Sequence, residues 1–321
     1  MLDLYPPITP YEEGLLSVGG GQRIFWESCG NPDGIPALVL HGGPGSGCTE
    51  AMRRYFDPSR HRIFLFDQRG CGRSIPLASQ PNVSLATNTT ADLISDMEQL
   101  RELHGVERWT LLGFSWGTTL GLAYAQNYPA HVEKMVLSMV TTGSRSEVNW
   151  LTEGVGRFFP REWERFSNAV SPPLRNLRLV DAYATMLFDE DPEVRSHAAK
   201  EWCAWEDAHI SLAPGATPNP RYEDPDFRLR FARLVTHYWR HDCFLEDEQL
   251  MRNASLLNGI PGVLIHGRFD VSSPLDMAWR ISKRWTSASL RVIDDAGHGV
   301  SDTFREAILE ALNGSNGLGA P

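Results

Sequence analysis

Four short apolar runs, spaced by helix-like stretches, constrain the first half of this chain more than any other feature. Ala37-Leu38-Val39-Leu40, Arg62-Ile63-Phe64-Leu65-Phe66, Trp109-Thr110-Leu111-Leu112 and Met135-Val136-Leu137 each have the length and continuous hydrophobicity of a strand buried on both faces. Thr90 to His104 lies between the second and third runs. It opens on a polar capping residue and spaces Leu93, Met97 and Leu100 at helical intervals. Thr118 to Asn127 is small and apolar, and Tyr128-Pro129 stops it. Strands alternating with helices predict an α/β class chain, with a mostly parallel sheet and helices on both faces.

The texture changes from about Ser144 to Leu245. Trp150, Trp163, Trp202, Trp205 and Trp239 fall here among helical patterns, interrupted by Ser171-Pro172-Pro173 and by the stretch from Pro214 to Pro220. Strand texture returns with Gly262-Val263-Leu264-Ile265-His266 and Leu290-Arg291-Val292-Ile293. The expected organisation is an α/β core over 1–143 and 246–312, a helical cap inserted over 144–245, and a flexible tail over 313–321.

Composition narrows the function classes. A formal net charge of −10 argues against a nucleic-acid partner, which needs a basic face. No apolar run approaches the ~18 residues of a membrane span. Met1 to Pro7 lacks the basic and apolar regions of a signal peptide, and the five cysteines (Cys29, Cys48, Cys71, Cys203 and Cys243) show no C-x-x-C spacing. The expectation is a cytoplasmic protein with reduced thiols and no membrane association. Oligomeric state leaves no mark on the sequence.

Gly113-Phe114-Ser115-Trp116-Gly117 fits G-x-S-x-G, directly after one expected strand and directly before an expected helix. A strand-turn-helix elbow needs small residues two before and two after its serine, because the turn is sharp and strained. Ser115 is therefore the candidate nucleophile. His41-Gly42-Gly43-Pro44-Gly45 follows the first strand; there Gly43 can aim its N–H at a developing oxyanion, with the Trp116 N–H as second donor. No Gly-Lys-Ser/Thr follows, so a phosphate loop is disfavoured. His41 itself reads as structural. After the last two strands come Gly267-Arg268-Phe269-Asp270 and Asp294-Asp295-Ala296-Gly297-His298. The order Ser115, Asp270, His298 matches a hydrolase triad in which His298 is the base and Asp270 orients it. Asp294 and Asp295 compete with Asp270 but read as the start of the His298 loop. Cys71 lacks an elbow and reads as structural.

Together with Asp67-Gln68-Arg69-Gly70-Cys71-Gly72-Arg73-Ser74, these motifs resemble the proline iminopeptidase family of α/β-hydrolase-fold serine peptidases. The resemblance runs from about Tyr5 to Leu312. It implies cleavage of an N-terminal proline through an acyl-enzyme, with no metal and no cofactor. In Glu201-Trp202-Cys203-Ala204-Trp205-Glu206 the W-x-x-W-E pattern implies that Glu206 binds the substrate's free amine, with Trp205 and Gly42 also contacting substrate. The chain departs from the family at Val235, where a second glutamate is usual, at Phe114, where a second glycine is usual, and at Thr141 and Leu151, where aromatics commonly line the proline pocket. The departures bear on selectivity for proline, since the triad motifs are intact.

The sequence thus predicts a serine aminopeptidase acting on a small peptide or amide with a free N-terminal amine. An esterase, lactonase or biosynthetic amide hydrolase on a non-peptide substrate stays open, as does a non-catalytic binding protein of the same fold.

Overall fold

A computed structural model describes residues 3–80, 82–210, 212 and 217–314. Its centre is one sheet of eight strands: β1 (Glu12–Ser17), β2 (Arg23–Gly30), β3 (Ile35–Leu40), β4 (His61–Asp67), β5 (Trp109–Phe114), β6 (Val132–Ser138), β7 (Gly262–Gly267) and β8 (Ala288–Ile293). The spatial order is β1-β2-β4-β3-β5-β6-β7-β8. β1 and β2 pair antiparallel with each other and β2 with β4, while β3 to β8 run parallel. All six strands read from apolar runs are present. The first two were not legible that way: Glu12–Ser17 has one exposed face, and Arg23–Gly30 carries Arg23, Glu27 and Ser28 among its apolar residues.

Side-chain alternation along the parallel strands builds two cores. Leu38, Leu40, Phe64, Phe66, Leu111, Leu137 and Leu264 enter one cluster. Ala37, Val39, Ile63, Leu65, Leu112, Val136 and Ile265 enter another. A period of two sends successive residues to opposite faces, so the buried stretch of each of these strands is apolar on both faces. In the helix Thr90–Leu103 the cap lies one residue earlier than its sequence signal: Thr89, not Thr90, is the cap, and Thr89 and Asp92 form a reciprocal capping box.

Among the described residues between Ser144 and His241 the regular elements are all helices, the longest at Pro192–His209 and Pro225–Arg240. This insertion has its own cluster, in which Trp202, Trp205, Phe166, Tyr183 and Phe231 pack together. Helix Asp302–Asn313 closes the described chain. Asn313 therefore belongs to that helix, where it accepts a hydrogen bond from the Tyr5 hydroxyl (3.0 Å), and the expected tail from 315 onward lies outside the described residues. All five cysteines are free. Among the described residues no helix is long and apolar enough to cross a membrane.

Candidate active site

The loops after β3, β5, β7 and β8 all leave the carboxyl edge of the sheet. The chain order reverses between β3 and β5, and in open α/β sheets ligands bind at such a crevice. Ser115 follows β5 with φ 51° and ψ −121°, a conformation that costs about 1–3 kcal/mol and persists only when its surroundings enforce it. Two glycines make the turn possible. A Cβ on Gly113 would lie 2.7 Å from the Gly117 carbonyl oxygen, and one on Gly117 would collide with the Leu40 carbonyl.

His298 Nε2 lies 2.9 Å from Ser115 Oγ, and His298 Nδ1 lies 2.8 Å from Asp270 Oδ2. The other oxygen of Asp270 accepts the Ser273 N–H at 2.8 Å. Burial opposes the Asp270 charge, but His298, His266 and the Ser273 N–H outweigh it and hold the carboxyl below its usual range. Burial likewise opposes a charged His298, yet Asp270 and Glu206 more than compensate and raise its pKa. Asp294 and Asp295 point elsewhere: Asp294 pairs with Arg268 at 2.8 Å, and Asp295 accepts from Thr303 Oγ1.

Gly42 and Gly43 border the same cavity as Ser115 and Trp116. Trp116 opens the helix Trp116–Asn127, so its N–H has no acceptor in a preceding turn. The Gly43 N–H meets no backbone acceptor among the described residues. One side chain, Gln68, fixes these two segments against each other. Its amide donates to the His41 carbonyl oxygen (3.1 Å) and accepts from the Trp116 indole (2.8 Å). His41 is the other brace. Its Nε2 accepts the Gln68 N–H (3.0 Å), which leaves Nδ1 to donate to the Gly42 carbonyl oxygen (2.9 Å). Burial holds this imidazole below its ordinary pKa, so it is a neutral structural group. Cys71, buried beside it, has its thiol pushed up by burial and is no nucleophile at neutral pH.

The far wall of the cavity comes from the helical insertion. Among the described residues two carboxylates reach it, Glu147 and Glu206. Glu147 is fully engaged by the hydroxyls of Thr141, Thr142 and Ser144 and by the N–H groups of Thr142 and Ser144. Glu206 accepts the Trp202 indole N–H at Oε1 (3.2 Å) and has no arginine or lysine partner among the described residues. Burial pushes its pKa up to about 7, against the pull of His298 and the Trp202 bond. The insertion also holds the His298 loop: the Ile210 carbonyl oxygen accepts the backbone N–H of His298 at 3.1 Å.

Residues 36–304 match the family model of the alpha/beta hydrolase fold. A probable proline iminopeptidase of Streptomyces coelicolor is 49% identical, covering 97% of each chain. This chain belongs to the proline iminopeptidase family. Proline iminopeptidases of Xylella fastidiosa (44% identical, 97% of each chain) and Neisseria gonorrhoeae (39% identical, 96% of this chain and 97% of the other) are also similar over nearly full length. A solved proline iminopeptidase from Mycobacterium smegmatis shares the fold, with a TM-score of 0.62 at 18% identity, over 94% of this chain and 98% of the other.

Within this proline iminopeptidase family member, one expected contact is displaced. Trp205 does not border the cavity. Its indole donates to the Leu151 carbonyl oxygen (3.0 Å), and its ring stacks on Phe166 (5.3 Å) and packs behind His209 (5.1 Å). It supports His209 and Leu151, which border the cavity. Val235 lies between Phe231 and Trp239 on one helix; those two border the cavity while Val235 is buried with the insertion's own cluster. Thr141 and Leu151 do border the cavity. Sequence reasoning missed His209, Ser272 and Ser273, which also border it. A signal for His209 existed, because it lies three residues after Glu206 on one helix and so shares its face.

Proposed function

We propose that this chain is a serine aminopeptidase that releases N-terminal proline from short peptides or amides through an acyl-enzyme. The observation that carries the reading is Glu206: a buried carboxylate facing the cavity, close enough to raise the pKa of His298, and unpaired with any arginine or lysine among the described residues. A buried charge without a counter-charge is costly, and a substrate ammonium supplies one.

Ser115 Oγ attacks the carbonyl carbon of the N-terminal residue as His298 Nε2 takes its proton. The Gly43 and Trp116 N–H groups stabilise the oxyanion. His298 returns the proton to the leaving nitrogen, the C–N bond breaks, and a water activated by His298 then hydrolyses the ester. Asp270 holds Nδ1 protonated throughout. Residues 144–245 act as a cap that closes the amine side of the site, so substrate extends only past the scissile bond. The free cysteines fit a reducing, cytoplasmic site of action.

The test compares proline arylamide, its N-acetylated form, and small acyl esters. The free amine is expected to be cleaved at least about 100-fold faster than the blocked form, the scale of losing one buried charge pair. Equal rates would overturn amine recognition, and esters preferred by orders of magnitude would favour the esterase alternative.

A further inference from the structure

His209 carries an unspent acceptor on the wall that holds Glu206. It is 1% exposed and ends the helix Pro192–His209. Ser272 Oγ donates its one hydrogen to the His209 carbonyl oxygen (2.7 Å), so toward the ring it can only accept, and His209 Nδ1 donates to it (2.9 Å). The ring proton therefore sits on Nδ1, and Nε2 presents a bare lone pair. That nitrogen is buried with no hydrogen-bond partner among the described residues, and His209 borders the cavity. It stands 3.8 Å from Glu206 Oε2. Burial, reinforced by His298, pulls the ring's pKa to about 3, so the lone pair persists at neutral pH.

Two acceptors at that separation can both reach one nitrogen with bonds of ordinary length. An N-terminal proline presents a secondary ammonium with two N–H groups. We propose that Glu206 Oε2 and His209 Nε2 together form the ammonium subsite, His209 supplying the second acceptor in a chain whose helix Pro225–Arg240 carries Val235 rather than a carboxylate. A neutral imidazole accepts the second N–H without adding another buried negative charge, and the ligand relieves an unsatisfied atom on that wall. The substitutions His209→Gln and His209→Leu separate this role from packing.

This assignment rests on the aminopeptidase reading, and the experiment tells the two apart. Kinetics on proline arylamide and on 4-nitrophenyl acetate, which has no amine, give a ratio of kcat/KM values for wild type, His209→Leu and His209→Gln. A charged-group hydrogen bond predicts that His209→Leu lowers the ratio about 10–100-fold, mainly through KM, and that His209→Gln, which keeps an acceptor, restores it to within about threefold. A ratio unmoved by His209→Leu overturns the assignment, whether or not both activities fall. Should that variant not fold, wild-type protein with ¹⁵N-labelled histidine is titrated with L-proline. The His209 Nε2 resonance is expected to move upfield as it accepts a proton bond; no movement at saturation overturns the assignment. Equal cleavage of free and N-acetylated proline arylamide by wild type would instead overturn the aminopeptidase reading itself.

Discussion

The two walls of the cavity are built on opposite principles. The sheet side places Ser115, His298 and Asp270 on loops at strand ends, and the polar groups of the triad are paired in sequence: serine to histidine, histidine to aspartate, aspartate to a backbone N–H. The helical side leaves polar atoms incompletely paired. Among the described residues Glu206 lacks a cation, and His209 Nε2 lacks a hydrogen-bond partner. A satisfied network is pre-organised for chemistry, whereas an unsatisfied one is poised for a ligand. On the proposed function, reaction belongs to one wall and recognition to the other.

The largest effect that would test this division is on the sheet side. Ser115→Ala is expected to lower kcat on amide and ester alike by about 10⁴-fold or more, and to abolish fluorophosphonate labelling. Substantial residual turnover on either substrate would place the nucleophile elsewhere.

A smaller effect separates the walls by pH. On the proposed mechanism, kcat/KM of the free enzyme requires His298 neutral and Glu206 charged. His298 has a raised pKa and Glu206 titrates at about 7, so both conditions fail as pH falls. For proline arylamide the acid limb should approach two protons, falling about 100-fold per pH unit at its steepest, against about tenfold for an amine-free ester that senses only His298. Glu206→Gln should reduce the amide profile to the ester's slope. Identical slopes for both substrates in wild type would break the comparison.

The smallest effect concerns the support of Glu206. Trp202→Phe keeps an aromatic ring to pack edge-on to Phe166 (5.7 Å) and Tyr183 (5.4 Å) but removes the N–H that favours the charged carboxylate. The acid limb for proline arylamide should move up by about one pH unit, with KM at about pH 8 rising about threefold, as one lost hydrogen bond implies. An unchanged limb would mean that the Trp202 bond does not set the Glu206 charge.

What was legible in the sequence was local or ordered. The elbow shows as glycines two before and two after a serine, between an apolar run and a helical one, and strands β3 to β7 are buried over most of their length, so each contains an apolar run. Asp270 and His298 could be placed because loops at the carboxyl edge of successive parallel strands share one rim. Trp205 was misplaced because W-x-x-W-E gives the helix and not its rotation; packing on Phe166 and the Leu151 carbonyl turns that ring behind the wall.

The sequence by itself determined the six parallel strands and placed Ser115, Asp270 and His298 after three of them in chain order, because strand periodicity and the elbow's glycine spacing are local patterns. Only the tertiary structure decided which atoms of the recognition wall are spent. Glu147 is saturated by its own helix cap, and the tautomer of His209 is set by Ser272, a residue 63 positions away. Whether a buried donor or acceptor is satisfied depends on contacts between distant segments, and no local pattern of residues encodes that.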